Sequence, residues 1–220
     1  MKKYSLLVFS CLLLLGFSSC EKDEQNITVE GKVINTNTGN GVSDATVILE
    51  NKPVSSSVYN AGYQKLVSAT TSSDGSYQLQ YEKERSSDYR ITVRKDSYIP
   101  FREEYAPDVF EAEQQVNMSF NLASKGYIKT EINNVSSYNE NDHIVLRFLD
   151  AGQYECIDCC PSEYIHGYGQ YFDTTFVCIA PGGDYYSYEY NVTINNSTNL
   201  YGPDSVYIEP FDTTKITIEY

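Results

Sequence analysis

The chain has 220 residues and a formal net charge of −14, with 30 acidic residues against 16 basic ones. A surface this acidic repels phosphate backbones and anionic lipid heads, which argues against nucleic-acid binding and against an electrostatic attachment to membranes. The 21 tyrosines and 9 phenylalanines supply enough apolar area for a folded core, so composition excludes a disordered chain.

The amino-terminal segment has the pattern of a secretory signal. Lys2 and Lys3 precede an apolar run over residues 6–17, and two serines and Cys20 follow it. This run of about a dozen residues is shorter than the roughly 20 that a helix needs to cross a bilayer. Residues 1–19 are therefore predicted to be a signal peptide. Its removal leaves 14 basic against 30 acidic residues, a charge of −16.

Phe17-Ser18-Ser19-Cys20 resembles the lipobox of bacterial lipoproteins, with Phe17 where leucine is usual. In that class the cysteine is acylated and becomes the first residue of the mature protein. Residues 21–24, EKDE, resemble the acidic signal that one phylum of Gram-negative bacteria uses to export lipoproteins to the outer face of the outer membrane. The resemblance implies a surface lipoprotein held by acyl chains on Cys20, with residues 20–26 as its tether. The alternatives are an ordinary signal peptide with an incidental cysteine, or a short anchor helix.

Residues 27–123 alternate apolar and polar side chains in short runs, which is typical of β-strands with one buried face. The predicted strands lie at residues 27–33, 45–49, 77–81, 89–95 and 116–122, and the last one closes the domain. Residues 50–66 lack this alternation, so we expect a surface loop there, with at most a poor edge strand.

Asp74-Gly75 marks a tight turn between the run that ends at Thr71 and the run that starts at Tyr77. Asp-Gly between two such runs is a strong hairpin signal, because glycine adopts the left-handed conformation without strain at Cβ. The sequence therefore predicts a hairpin at this turn.

Several motifs in this region together resemble the carboxypeptidase regulatory-like domain. They are Gly31-Lys32-Val33, Gly41-Val42, Ala45-Thr46-Val47, Asp74-Gly75-Ser76-Tyr77 and Tyr89-Arg90-Ile91-Thr92-Val93. The resemblance covers about residues 27–122 and implies a transthyretin-like, seven-stranded β-sandwich. Ser97, where the family often has glycine, and the insertion at 50–66 depart from the pattern. That family is an accessory domain beside some peptidases, so the resemblance implies no catalytic residues.

Residues 124–220 show a second all-β pattern. The predicted strands are 127–133, 144–149, 170–180, 185–194, 206–209 and 214–220, separated by polar turns. Short strands with such turns are typical of an immunoglobulin-like or fibronectin-like sandwich. The predicted fold is therefore all-β, with two tandem β-sandwich domains after the signal peptide. The first is transthyretin-like and the second is Ig-like.

Four cysteines lie in the second domain, at Cys156, Cys159, Cys160 and Cys178. Because an exported protein meets oxidising conditions, two disulfides are the favoured interpretation, and free thiols or a four-thiolate zinc site are the alternatives. A bond between neighbouring cysteines is strained, so Cys178 is expected to pair with Cys159 or Cys160. Such bridges would fix the loop 151–169 to the strand that carries Cys178, at roughly 3 kcal/mol each.

The same loop carries Tyr154, Tyr164, His166 and Tyr168, which are the candidate binding residues. Tyrosine stacks on sugars and anchors protein partners at low entropic cost, although alternating tyrosines also simply fill the core of a sandwich. Tryptophan, the usual sugar platform, is absent from the chain.

No catalytic, metal-binding or cofactor-binding residues are predicted. The two histidines lie in no zinc-protease motif, and the chain has no nucleophile elbow, phosphate loop or dinucleotide fingerprint. Asp173-Thr174-Thr175, Asp204-Ser205-Val206 and Asp212-Thr213-Thr214 resemble the O-glycosylation motif of exported proteins in the same phylum, which makes Thr174, Ser205 and Thr213 candidate acceptors.

These patterns predict a non-catalytic outer-membrane lipoprotein, exposed at the cell surface, that acts as an adhesion or spacer module. Its expected partners are outer-membrane lipid, through the acyl anchor, and an unidentified protein or glycan, but no nucleic acid. The alternative function is that of a glycan-binding accessory lipoprotein in a nutrient-import system.

Overall fold

In the part of the chain that the structure describes, nearly all regular secondary structure is β-strand. The computed structural model describes residues 26–54, 62–154 and 156–220. Within them the strands form four sheets, and these build two sandwiches with separate buried cores. The prediction of an all-β chain with two tandem sandwiches is confirmed. The predicted signal peptide, Cys20 and nearly all of the tether lie outside the described residues.

The first sandwich contains eight strands and one short helix. They are β1 (Asn26–Asn35), β2 (Thr46–Pro53), β3 (Gln64–Thr70), β4 (Ser76–Glu82), β5 (Ser86–Arg94), β6 (Phe101–Tyr105), α1 (Asp108–Glu111), β7 (Gln115–Asn117) and β8 (Phe120–Leu122). One sheet has the order β4-β1-β7, with β8 following β7 along β1, and the other has the order β3-β2-β5-β6. Strand β4 shows why they form, since Tyr77, Leu79 and Tyr81 are buried and the residues between them are not.

The second sandwich contains seven strands. They are β9 (Lys125–Asn133), β10 (His143–Phe148), β11 (Ile165–Tyr168), β12 (Asp173–Pro181), β13 (Tyr185–Ile194), β14 (Ser197–Tyr207) and β15 (Thr213–Glu219). Their sheets have the orders β12-β9-β15 and β11-β10-β13-β14.

Both sandwiches share one strand order. In each, the first strand pairs antiparallel with the fourth and parallel with the last, and the third, second, fifth and sixth strands form the other sheet. β7 and β8 count here as one interrupted last strand. Immunoglobulin constant domains instead keep their first, second, fourth and fifth strands in one sheet. The second domain therefore has the sandwich architecture that was predicted, with the connectivity of the first domain.

The predicted hairpin at Asp74-Gly75 is wrong. β3 pairs with β2, whereas β4 pairs with β1, so this turn carries the chain from one sheet to the other. The preference of Gly75 for a turn is real, because its φ is +81° and a Cβ there would collide with the carbonyl oxygen of Val33. An Asp-Gly turn is a local signal and does not specify which strands pair.

The predicted last strand over residues 116–122 is divided into β7 and β8. Between them the Met118 amide donates to the Glu30 carbonyl oxygen over 2.8 Å, and the hydroxyl of Ser119 accepts from the Lys32 amide over 3.1 Å. This close approach requires Gly31, because a Cβ there would overlap the Met118 carbonyl oxygen. The interruption therefore comes from a tertiary contact.

The predicted loop at 50–66 is shorter than expected. Glu50 pairs with Lys65 and Asn51 with Gln64, so β2 and β3 extend into both ends of it. Residues 55–61 lie outside the described part of the chain. The sequence analysis also missed β6, β11 and all of β14 except Val206 and Tyr207. The side chains of these strands are mostly exposed.

The connection between the sandwiches is short and tightly held. The buried Ser124 hydroxyl donates to the Asn37 side-chain oxygen over 2.8 Å, and the Ser124 carbonyl oxygen accepts from the Gly182 amide over 2.8 Å. Tyr98 of the first sandwich lies edge-on to Phe211 of the second, with 5.4 Å between ring centroids. The two domains therefore contact each other directly on both sides of the connection.

Candidate functional site

One face of the second sandwich gathers most of the predicted binding residues. Ile144, Leu146 and Phe148 of β10 are buried, so the alternating residues of this strand point outward. The register pairs His143 with Tyr168 and Val145 with His166 on β11. The resulting aromatic strip consists of His143, Arg147, Tyr164, His166 and Tyr168.

Three rings of the aromatic strip are nearly parallel. The His143 ring lies 4.2 Å from the Tyr168 ring at an angle of 4°, and 5.4 Å from the His166 ring at 8°. Nε2 of His143 is 3.2 Å from Nδ1 of His166, and the Tyr168 hydroxyl oxygen is 3.4 Å from the same Nδ1. The only two histidines of the chain thus meet at one point.

The strip continues toward Tyr164. The Arg147 guanidinium lies 5.4 Å from the centre of the Tyr164 ring, within cation–π range. Tyr164 is 54% exposed and Tyr168 is 63% exposed, so both rings offer area to a partner. Burial lowers the pKa of His143, and the neighbouring His166 lowers it further.

The buried Asp142 fixes the His143 end of the strip. Its carboxylate accepts hydrogen bonds from the Tyr138 amide over 2.7 Å and from the Asn134 side chain over 3.0 Å. Burial raises the pKa of Asp142, but these hydrogen bonds outweigh burial and hold the pKa below its usual value. Asn134 also donates to the Gly169 carbonyl oxygen, so the ends of β9, β10 and β11 are joined at this pole.

The cysteines form two disulfides, Cys156–Cys159 and Cys160–Cys178. The predicted disulfides are confirmed, in one of the two favoured pairings. The expectation that both bridges attach the loop to β12 is wrong, because only Cys160–Cys178 does so. The other bridge closes a ring of four residues within the loop.

Tyr154 does not join the aromatic strip. It lies beside the loop disulfides in a shallow depression that Cys160 and Tyr186 also line. Of the predicted binding residues, the structure brings Tyr164, His166 and Tyr168 together. Sequence analysis missed His143 and Arg147, which only the pairing of β10 with β11 places beside them. The alternation in HIVLRF was the available signal that both side chains point outward.

The three candidate glycosylation residues differ in their surroundings. Ser205 on β14 and Thr213 at the start of β15 are exposed. Thr174 is half-buried on β12 opposite the buried Ile132. Their modification stays a prediction.

A cleft of about 710 Å³ lies between the two sandwiches. It is lined by Thr92, Arg94, Pro100, Arg102, Cys156 and Ile157. Neither histidine takes part in it. Across residues 26–54, 62–154 and 156–220, no three His, Cys, Asp or Glu side chains converge as a metal site. Over these same ranges, no helix is long and apolar enough to cross a membrane.

No protein-family model matches the chain, and no curated protein matches it. Among solved structures, it is similar to the TIE protein of Bacillus anthracis, at 14% identity and a TM-score of 0.37, over 88% of this chain and 34% of that one. It is also similar to a streptococcal ancillary pilin, at 12% identity and a TM-score of 0.33, over 89% of this chain and 63% of that one.

A third similar structure is GBS52, the minor pilin of Streptococcus agalactiae, at 10% identity and a TM-score of 0.34, over 88% of this chain and 94% of that one. The chain thus spans less than two thirds of the length of the TIE protein and of the ancillary pilin. Likenesses this distant say nothing about function.

Proposed function

We propose that this protein is a non-catalytic, lipid-anchored module of the outer membrane that holds an interaction surface away from the membrane. The observation that carries the proposal is the position of the aromatic strip relative to the first strand. β1 starts at Asn26, the last residue of the proposed tether, and just after its far end the Asn37 side chain accepts from the Ser124 hydroxyl at the connection and lies beside Gly183 of the second sandwich. A strand of 10 residues spans about 30 Å. The first sandwich therefore acts as a spacer.

The strip lies at the far end of the second sandwich. β9 leaves the connection at Lys125 and ends at Asn133, and the next residue, Asn134, holds Asp142 and Gly169 beside the His143–Tyr168 pair. The rings that are free to meet a partner are thus at the pole opposite the connection. We take this pole as the contact surface for an unidentified protein.

We also propose that residues 27–122 belong to the carboxypeptidase regulatory-like family. The support is the set of motifs in the sequence together with the strand count. β1 to β6 and the interrupted last strand give seven strands in two sheets. Gly31 and Gly75 each allow a close backbone approach inside this sandwich, which gives the motif glycines a structural reason.

Site-specific crosslinking on intact cells tests the contact surface. A photoreactive residue at position 168 should yield a covalent adduct with a partner. Position 185 is the matched control, because Tyr185 is 65% exposed on the same sheet but lies at the other pole. Adducts of equal yield from both positions, or none from 168, would contradict the proposal.

The second candidate function is glycan binding, which the exposed rings of Tyr164 and Tyr168 favour. Gel electrophoresis through embedded polysaccharides tests it. Retardation of the native protein that is lost in Tyr168→Ala and kept in Tyr185→Ala would identify a glycan-binding strip. Unchanged migration on all polysaccharides would contradict glycan binding, and the spacer function would then be the one remaining proposal.

A further inference from the structure

The cleft between the two sandwiches combines positive charge with apolar walls. Arg94, Pro100 and Arg102 line it from the first sandwich, and Ile157 lines it from the second. The chain has 16 basic residues against 30 acidic ones, so two neighbouring arginines in one cleft stand against its overall charge. We propose that the cleft binds a small monocarboxylate, with its carboxylate on the two arginines and an apolar body against Ile157 and Pro100.

The strand register brings the two arginines together. The side chains of Ile91 and Val93 on β5 point into the core, so Thr92 and Arg94 point to the outer face of the sheet. Thr92 pairs with Arg102 of β6, which makes Arg94 and Arg102 diagonal neighbours on that face. Long side chains reach each other across such a diagonal. One carboxylate can therefore accept from both guanidinium groups, whose planar forks match its geometry.

The arginines of the cleft differ from Arg90, which lies on the same strand face. Arg90 donates twice to the Glu50 carboxylate, over 2.8 and 2.9 Å. No salt bridge joins Arg94 or Arg102 to an acidic side chain of the described residues. The charge of Arg102 contributes to the lowered pKa of Glu50, but the hydrogen bonds of Glu50 to Arg90 contribute most. The two guanidinium groups in the cleft thus keep donors for a ligand.

The apolar wall belongs to the bridged loop. Ile157 lies inside the four-residue ring that Cys156–Cys159 closes, and its side chain is fully exposed. Next to it, the Asp158 carbonyl oxygen accepts from the Ile179 amide over 2.7 Å, which attaches the ring to β12. The ring therefore presents one apolar side chain to the cleft from a fixed backbone.

A small core shared by both sandwiches fixes the two walls relative to each other. Ile99 of the first sandwich, Ala123 beside the connection and Ile179 of the second sandwich are buried together, and Cys156 packs against them. Pro100, which lines the cleft, directly follows Ile99. Because the walls are already ordered, a ligand that binds between them loses less free energy to ordering of the protein.

The charge balance and the lining together determine the class of ligand. Arginine forks bind carboxylates and phosphates alike, but a net charge of −14 opposes a polyanion more strongly than a single negative charge. The volume of about 710 Å³ is within the range of small-molecule sites, which are mostly apolar with a few polar groups that orient the ligand. A monocarboxylate with an apolar body fits both conditions. This proposal does not depend on the aromatic strip binding a partner.

Calorimetric titration with octanoate tests the site, on the full chain made without its anchor as Cys20→Ala. Octanamide is the matched probe, because it keeps the apolar body and lacks the charge. We expect one octanoate per chain and binding of octanamide that is weaker by about tenfold or more. Inorganic phosphate should also bind more weakly than octanoate. Equal affinity for octanamide, tighter binding of phosphate, or no binding of octanoate at millimolar concentrations would overturn the proposal.

Matched variants locate the binding in the cleft. Arg94→Gln and Arg102→Gln should each weaken octanoate binding by about tenfold. Arg85→Gln removes the same charge at the opposite end of β5 and should leave the affinity unchanged. From butanoate to octanoate, native affinity should rise by up to about fourfold per buried methylene, and Ile157→Ser should reduce this gain. An unchanged thermal midpoint would show that each variant is folded. Native affinity in the double arginine variant, or an undiminished gain in Ile157→Ser, would overturn the proposal.

Discussion

The two sandwiches share a strand order but use the same outer sheet face differently. In the first sandwich the face of β2 and β5 carries charges that neutralise each other. Arg90 and Glu50 form a bidentate ion pair there, with two nitrogen–oxygen distances of 2.8 and 2.9 Å. Lys52 and Arg90 also lie 4.4 and 4.0 Å from the Tyr63 ring. In the second sandwich the corresponding β10–β11 face presents stacked histidine and tyrosine rings. The same strand order thus carries one face whose charged groups pair with each other and one face whose aromatic rings are exposed to a partner.

The two sandwiches also differ in their disulfide cross-links. The first sandwich has no disulfide among its described residues, whereas two bridges lie within the second. Three members of the aromatic strip, Tyr164, His166 and Tyr168, come within eight residues after the bridged Cys160. The described part of the first sandwich is thus held by non-covalent contacts, whereas the domain with the exposed strip has additional covalent constraints.

The prediction with the largest expected effect tests the proposal that the first sandwich is the membrane-proximal spacer. Cys20→Ala removes the sulfur that the proposed acyl chains need, so nearly all of the protein should leave the membrane fraction. Fractionation without detergent measures this, and Cys156→Ala is a control because it removes a cysteine far from the anchor. If Cys20→Ala still requires detergent for extraction, the anchor is wrong.

The next prediction compares the two cores at the same structural position. Leu49 on β2 and Leu146 on β10 are both fully buried on the second strand of their sandwiches. Replacing either by alanine should lower the free energy of unfolding by about 3–4 kcal/mol. Because the cores are separate, hydrogen exchange should rise mainly in the sandwich that carries the change. An equal rise in both would show that they unfold as one unit.

The alternating runs specified much of this fold, and the remainder depended on contacts between distant residues. Tyr77, Leu79 and Tyr81 were correctly placed in a strand, because period-two alternation is local. The partner of that strand was not predicted, because Asp74-Gly75 specifies a turn but not its sheet. Likewise, β14 is exposed along nearly its whole length and lacks the alternation that would reveal it.

The candidate site was only half predictable for the same reason. Tyr164, His166 and Tyr168 alternate within one short segment, so sequence alone could group them. His143 is 23 residues from His166, and only the strand register brings it within 3.2 Å. Cys178 could be paired with Cys159 or Cys160 on spacing alone, and the buried position of Cys160 beside β12 decided between them.

The two disulfides should differ in their contributions to stability. Cys160–Cys178 joins residues 18 apart and is buried, so replacing both cysteines by serine should cost about 3 kcal/mol. Cys156–Cys159 joins residues only 3 apart, and its loss should cost about 2 kcal/mol or less. Denaturant unfolding of the two double variants measures this, with Leu49→Ala as a reference for the unbridged sandwich. A larger loss from the Cys156–Cys159 variant would contradict the loop-closure argument.

The smallest effect concerns the neutralised face of the first sandwich at low pH. The Arg90 guanidinium, through its hydrogen bonds, lowers the pKa of Glu50, and burial only partly offsets this. A lowered pKa in the folded state means that Glu50 stabilises the fold above the unfolded pKa of about 4.3, and that this stability is lost as the pH falls through the folded pKa. Glu50→Gln should therefore cost about 1 kcal/mol at pH 7 and little at the acid end.

Unfolding curves from pH 7 down to about 3 measure the difference between the native protein and Glu50→Gln. The exposed Glu219 of β15 provides the control. Its carboxylate forms no ion pair with the described residues, so Glu219→Gln removes one charge and breaks no ion pair there. If the difference in unfolding free energy between the native protein and Glu50→Gln stays constant with pH, the residue acts by packing. If that difference disappears on acidification, the ion pair with Arg90 stabilises this face, as the contrast with the aromatic strip requires.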